Sequence, residues 1–286
     1  MSSPTVSKEQ RTDKKFLLIV VAASCLVAAM FGSRNSLSLT IEGIDQSQTL
    51  NYLQISFAFA LGQLVVGAIS PFAGMIADKY GSGKTLTVGI LLGLLGIILI
   101  PYSTTAFTLS ISLGVISSIG LGVAGLPVVL ASVNRLIPQK KVGMAFGLVN
   151  AGQSLGQLIL APLAGFIIVN FGWVLCILFL STVLLLVLPF SFVLRSRTDA
   201  KQPSGVHEKS LSETLRIAFN TPSYIYLVVG FFVCGFHVAF IATHMPGVIQ
   251  VCGLPPTVSG WSLGLIGLFN IVGSIFAGWY ISKRSM

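Results

Sequence analysis

Charge is what this sequence has least of. Only 9% of its 286 residues are charged and 54% are hydrophobic, whereas soluble domains carry about 25% charged residues. With a mean hydropathy of +0.91, the expected solvent is the bilayer. Acidic residues number 8, and none lies in the middle of an apolar stretch. Without a carboxylate pair or a nucleophile–base pair inside those stretches, the sequence does not read as an enzyme. The 4 cysteines, Cys25, Cys176, Cys234 and Cys252, have no metal-ligand spacing and form no disulfide framework. They read as small packing residues. Cys234 and His237 are close in sequence but lack further ligands, so no metal is expected. No motif asks for a cofactor. Strand-like alternation is also missing. That excludes a β-barrel and leaves helices as the way to satisfy the backbone in lipid.

What is present is a succession of long apolar segments. Candidate spans cover 16–40, 50–77, 85–102, 106–135, 142–169, 173–194, 223–250 and 257–282, each long enough to cross ~30 Å of hydrocarbon. Residues 1–15 are polar, with no apolar periodicity, and read as an unstructured cytoplasmic tail. The first span is too long for the core of a cleaved signal peptide, and no soluble domain follows it. The connections alternate in charge. The tail carries Lys8, Arg11, Lys14 and Lys15. The first loop has Glu42 and Asp45 and no basic residue. Lys79 and Lys84 follow, then Arg135, Lys140 and Lys141, then Arg195, Arg197, Lys201, Lys209 and Arg216, with Lys283 and Arg284 last. Of 17 basic residues only Arg34 falls outside this alternation. The positive-inside rule then puts both termini in the cytoplasm. The net charge of +9 is thereby explained by topology, and nucleic acid is not an expected partner. Residues 195–222 form the one long polar connection, with Pro203 and Gly205, and read as a cytoplasmic linker between a domain at 16–194 and a second unit at 223–286.

The stretch from Ser70 to Lys84 carries the sharpest motif. Gly74, Asp78-Lys79, Gly81 and Lys84 sit at the end of the second span. Gly74 would let a neighbouring helix approach closely. Gly81 and Gly83 would permit a tight turn. Asp78 lies where basic side chains can hold a carboxylate, although an ordinary solvated loop is the alternative. The run Gly81-Ser-Gly-Lys-Thr85 imitates the end of a phosphate loop. No strand leads into it, and Asp78 stands where the motif needs glycine, so nucleotide binding is not expected. The Gly74–Lys84 pattern resembles the loop between helices 2 and 3 of the major facilitator superfamily. An internal repeat agrees with this resemblance. Ser70, Phe72, Ala73, Gly74 and Lys79 align with Ser274, Phe276, Ala277, Gly278 and Lys283, as expected of two halves related by an axis along the membrane normal. Ser282 replaces Asp78 in the second copy. More narrowly, Phe31-Gly-Ser-Arg34 and the segment from Gly235 to Pro246 resemble bacterial relatives of monocarboxylate and oxalate/formate carriers. The resemblance implies an all-α membrane protein, a major facilitator-type helical bundle. It comprises a six-helix N-terminal domain and the first two helices of a second one. The family pattern has twelve helices, so the chain reads as truncated after the eighth: a fragment, a truncated gene product or a short form.

Several residues inside the spans invite chemistry. Arg34 can hold a carboxylate by two parallel hydrogen bonds, or it can snorkel to headgroups. His237 and His244, two helical turns apart on one face, could relay protons or simply pack. Asn150, Gln153 and Gln157 lie within roughly 60° of one another on a helix. Gly152 and Gly156 lie opposite them and suit close helix packing. Aligning Gly32-Ser-Arg34 with Gly235-Phe-His237 places Arg34 and His237 on opposite walls of one cavity. In the family this chain resembles, proton-coupled members often carry an arginine before the glycines of the fourth helix. None precedes Gly120, Gly122 and Gly125 here and Ile116 stands in that region, so the resemblance counts against proton coupling. The reading implied is a secondary transporter of a small organic anion, a monocarboxylate, in a bacterial inner membrane. It would work by alternating access, coupled to protons or a counter-anion, with Gly74, Asp78, Lys79, Gly81 and Lys84 as the gating motif. An efflux or sugar carrier and a non-transporting membrane protein are the alternatives.

Overall fold

A computed structural model describes residues 4–47, 50–195, 216–217 and 219–284. The architecture is all-helical, with no strand among the described residues. Eight helices are long and apolar enough to cross a membrane. We number them α1 (Pro4–Leu37), α2 (Tyr52–Tyr80), α3 (Ser82–Ile98), α4 (Ala106–Leu136), α5 (Gln139–Phe171), α6 (Trp173–Val187), α7 (Pro222–Val251) and α8 (Pro256–Arg284).

Two local features depart from the sequence reading. The segment expected to be an unstructured tail is helical from Pro4 onward. Proline is favoured in a first turn, and no glycine or proline follows until Gly32, so nothing interrupts the helix. Beyond Leu37 the chain continues through a 3₁₀ turn, Ser38–Thr40, into a short helix, Ile41–Ser47. Glu42 and Asp45 therefore sit on a helix, not in an open loop. The linker at 196–215 and the side chain of Ser282 lie outside the described residues.

Local chemistry sets several boundaries. Asn51 caps α2: its side chain accepts from the Gln54 N–H at 3.0 Å, and the Gln54 side chain accepts from the Asn51 N–H at 3.1 Å. Gly81 alone separates α2 from α3, at φ 90°, a backbone conformation costly for any side chain with a Cβ. Within α4, Ser110–Ser117 winds as a π-helix before α-geometry resumes at Ser118.

The helices are held together mainly by close approach of backbones at small residues, as packing in lipid favours. A Cβ on Gly156 would come within 2.1 Å of the Ala28 carbonyl oxygen, and one on Gly152 within 2.6 Å of the Ser24 Cβ. This joins α1 to α5. Gly120 of α4 meets the backbone of Gly93 on α3, and Gly260 of α8 meets the Ala161 carbonyl of α5. Between these seams lie fully buried Leu26, Ile90, Ile97, Ile177 and Leu180. The seventh helix is different. Its buried residues are Thr243, Pro246 and Gly247, near the end remote from the Asp78 loop, whereas residues 222–238 are exposed.

Candidate functional site

Arg34 lies in the last turn of α1, where the helix dipole favours a cation. Its guanidinium donates to the Oε1 of Gln63 on α2. That bond draws the side chain across to a neighbouring helix, away from the outward path that snorkelling requires. Gln63 is brought there by its neighbour Gly62, where a Cβ would stand 2.6 Å from the Ser118 Oγ. With no side chain at position 62, α2 seats against α4 just past the π-helical stretch. Ser118 follows that stretch and donates to the Leu113 carbonyl at 3.0 Å, five residues back.

Two open cavities meet at Arg34. The smaller is bordered by Arg34, Asn35, Gln63, Ser117, Ser118 and Thr243 among others. The larger is bordered by Met30, Phe31, Arg34, Ser70, Pro127 and Gln153 among others. Arg34 is the one charged residue lining either cavity among the described residues. Hydroxyls and amides surround it. An apolar environment strengthens the pull of such a charge on an anion, and a guanidinium offers paired donors to a carboxylate.

The other candidates separate into distinct places. Gln153 borders the larger cavity. Asn150 borders neither: its amide donates to the Phe146 carbonyl of its own helix at 3.2 Å. Gln157 is buried elsewhere, at the seam between α5 and α8, where its Cβ lies 3.4 Å from a Cβ built on Gly267. The three amides do not form one cavity wall, because the contact with α8 takes up the position of Gln157.

His237 does not face Arg34. It is exposed and lines neither cavity. Thr243 is the α7 residue that reaches the smaller cavity together with Ala242. Six residues back along the helix turns His237 roughly 120° away and moves it roughly 9 Å along the axis. His244 is half-buried with its Nδ1 3.4 Å from the Tyr52 hydroxyl of α2. It bridges α7 to α2 and leads into no chain of titratable groups shown by these contacts.

At the opposite end, the Asp78 carboxylate accepts from the guanidinium of Arg135 at the end of α4. Lys79 lies with its ammonium 5.3 Å from the Tyr80 ring centroid, and Lys84 is exposed. Two glycines act differently from expectation. A Cβ on Gly74 would meet nothing within 4 Å, so close helix approach is not its role in this arrangement. Gly83 is inside α3, and a Cβ there would press to 2.9 Å from the Arg195 Cβ. It packs against the chain leaving α6, and the turn belongs to Gly81.

Sequence reasoning missed Gln63, Ser117, Ser118 and Thr243 at the cavity, Tyr52 beside His244, and Arg135 as the partner of Asp78. Gln63 alone carried a usable signal, an amide within an otherwise apolar span. In the sequence, Arg135 carries only the signal of a topological charge.

Comparison with known proteins places this arrangement. The family model described as Major Facilitator Superfamily matches residues 21–286. Monocarboxylate transporter 12 of Rattus norvegicus is 23% identical over 266 residues, covering 82% of this chain and 54% of that protein. Monocarboxylate transporter 11 of Mus musculus is 25% identical over 178 residues, covering 62% and 39%. The hexuronate transporter of Bacillus subtilis is 25% identical over 255 residues, covering 82% and 58%. The chain thus spans about half the length of the curated relatives it matches. Among solved structures, a D-xylose-proton symporter superposes with a TM-score of 0.64 at 16% identity, covering 93% of this chain and 69% of that one. At that identity the likeness speaks to the fold alone.

Proposed function

This chain belongs to the Major Facilitator Superfamily, and from that premise we propose that it is a secondary transporter of a small organic anion, a monocarboxylate, working by alternating access. The observation that carries the proposal is Arg34, the one charge lining two cavities that hold no acidic residue among the described residues. A fixed cation among neutral polar groups favours a carboxylate and disfavours a cation of similar size. The names of the sequence relatives agree with this chemistry, since monocarboxylates and hexuronates both carry a carboxylate.

The seating of α7 supports the alternating-access part. It touches the first six helices near Thr243 and Gly247 and stands clear of them at the Asp78 end. Charge alternation supports a cytoplasmic position for that end, both termini and the Asp78–Arg135 contact, and the membrane in this reading is a bacterial inner membrane. The cavities would then be reached from inside, with Tyr52 and His244 closing the outer side. The coupling ion is a proton or a counter-transported anion. His237 and His244 are the histidines of α7 on which proton coupling would rest.

The test is a substrate panel with the chain reconstituted in liposomes. Counterflow of a labelled monocarboxylate such as lactate is expected, competed by other small carboxylates and not by xylose. Transport of xylose with indifference to carboxylates would move the chain to the sugar-carrier reading. Binding of lactate without flux would identify a non-transporting membrane protein.

A further inference from the structure

We propose that Gln63 sets the charge selectivity of the Arg34 cavity. It presents Arg34 with a neutral acceptor, so the site prefers an anion over an uncharged molecule of the same shape. The inference rests on the reading of Arg34 as the group that receives the substrate carboxylate. It adds the residue that keeps that group available.

A half-buried arginine places definite demands on its surroundings. A guanidinium away from water needs hydrogen-bond acceptors, and the commonest strong acceptor is a carboxylate. A carboxylate on α2 would satisfy Arg34 but cancel its charge, and an incoming anion would then have to displace an ion pair. An amide oxygen satisfies one donor and leaves the full positive charge in place. Gln63 supplies that oxygen. Arg34 has five N–H donors, so the bond to Gln63 leaves others for a ligand. The second observation is independent of that bond. The remaining lining of the smaller cavity comprises hydroxyls, an amide and apolar groups, with Ser117, Ser118 and Thr243 around Arg34 and no acid among the described residues. The nearest acids in sequence, Glu42 and Asp45, border neither cavity.

The location of Gln63 also follows from packing. Gly62 is pressed against Ser118, and Gly114 of α4 approaches the Ala58 carbonyl to 3.0 Å at its would-be Cβ. These contacts fix the rotation of α2 at this level and turn Gln63 toward α1. Gln63 is therefore a positioning and selectivity residue that acts through Arg34. Its amide does not ionise at working pH, so the anion preference it maintains does not depend on its titration.

The experiment is equilibrium binding of two radiolabelled probes, lactate and its neutral isostere lactamide, to the 286-residue chain in lipid nanodiscs. The wild-type chain should favour lactate. Gln63→Glu should lower the lactate-to-lactamide affinity ratio by about tenfold or more, because an internal carboxylate competes with the ligand for Arg34. Gln63→Met, similar in length and without an acceptor, should keep the preference for lactate while binding both probes more weakly, because Arg34 stays charged but loses its anchor. A wild-type ratio in Gln63→Glu would overturn the inference. Equal loss of both probes in Gln63→Glu, or loss of the preference in Gln63→Met, would also overturn it by making Gln63 a packing residue. Arg34→Gln separates the two levels. If it leaves the ratio unchanged, the reading of Arg34 falls. If it abolishes the preference while Gln63→Glu does not, only the role given to Gln63 falls.

Discussion

Asp78 and Arg135 join the ends of α2 and α4 while remaining 49% and 34% exposed. A pair so open to water is worth about 0–1 kcal/mol, so its value to the protein is not bulk stability. Asp78→Asn should shift thermal unfolding by no more than about 1 kcal/mol and still reduce lactate counterflow in liposomes, if this contact is made and broken during transport. Unchanged flux would reduce Asp78 to a surface charge. The residue scale also shows what sequence could reach. Arg34 was legible because a charge inside a span is expensive and calls for a reason. The acceptor opposite it was not, because pairing across helices depends on the rotation of α2, which Gly62 and Ser118 decide. His237 misled for the same reason: a repeat alignment gives a position along a helix, and only the packed structure gives the side it faces.

At the scale of elements, the two glycine classes were partly legible. Gly152 and Gly156 recur four residues apart, and that spacing correctly marked the face joining α1 to α5. Gly74 belonged to a motif, but a motif does not say what lies opposite a residue. The contrast is measurable. Gly156→Ala forces a methyl group to 2.1 Å from the Ala28 oxygen and should destabilise the chain by about 1–3 kcal/mol. Gly74→Ala meets open space and replaces a helix-interior glycine, so it should be neutral or stabilising by up to about 1 kcal/mol. Thermal unfolding of both variants in one detergent makes the comparison. A larger loss from Gly74→Ala than from Gly156→Ala would contradict the packing described for these helices. The existence and order of all eight helices were readable from apolar run lengths alone. The helical start at Pro4 was not, because a polar segment without apolar periodicity reads as disorder even where no glycine or proline interrupts a helix.

For the whole molecule, the proposed orientation rests on the alternation of charge between the connections. Reporter fusions at Gln139 and Ser204 should report cytoplasm, and fusions at Gln46 and Pro255 the opposite side. A fusion at Ser204 reporting the outer side would overturn the eight-span order. The central claim, however, is that one arginine converts a polar cavity between these helices into a carboxylate site, and binding of lactate to the Arg34→Gln chain in nanodiscs tests it most directly. Removing a hydrogen bond to a charged group costs about 1.5–3 kcal/mol. The account therefore expects the dissociation constant to rise by about tenfold or more, with the helical circular dichroism of the chain unchanged. Lactate binding at wild-type affinity in Arg34→Gln would contradict it.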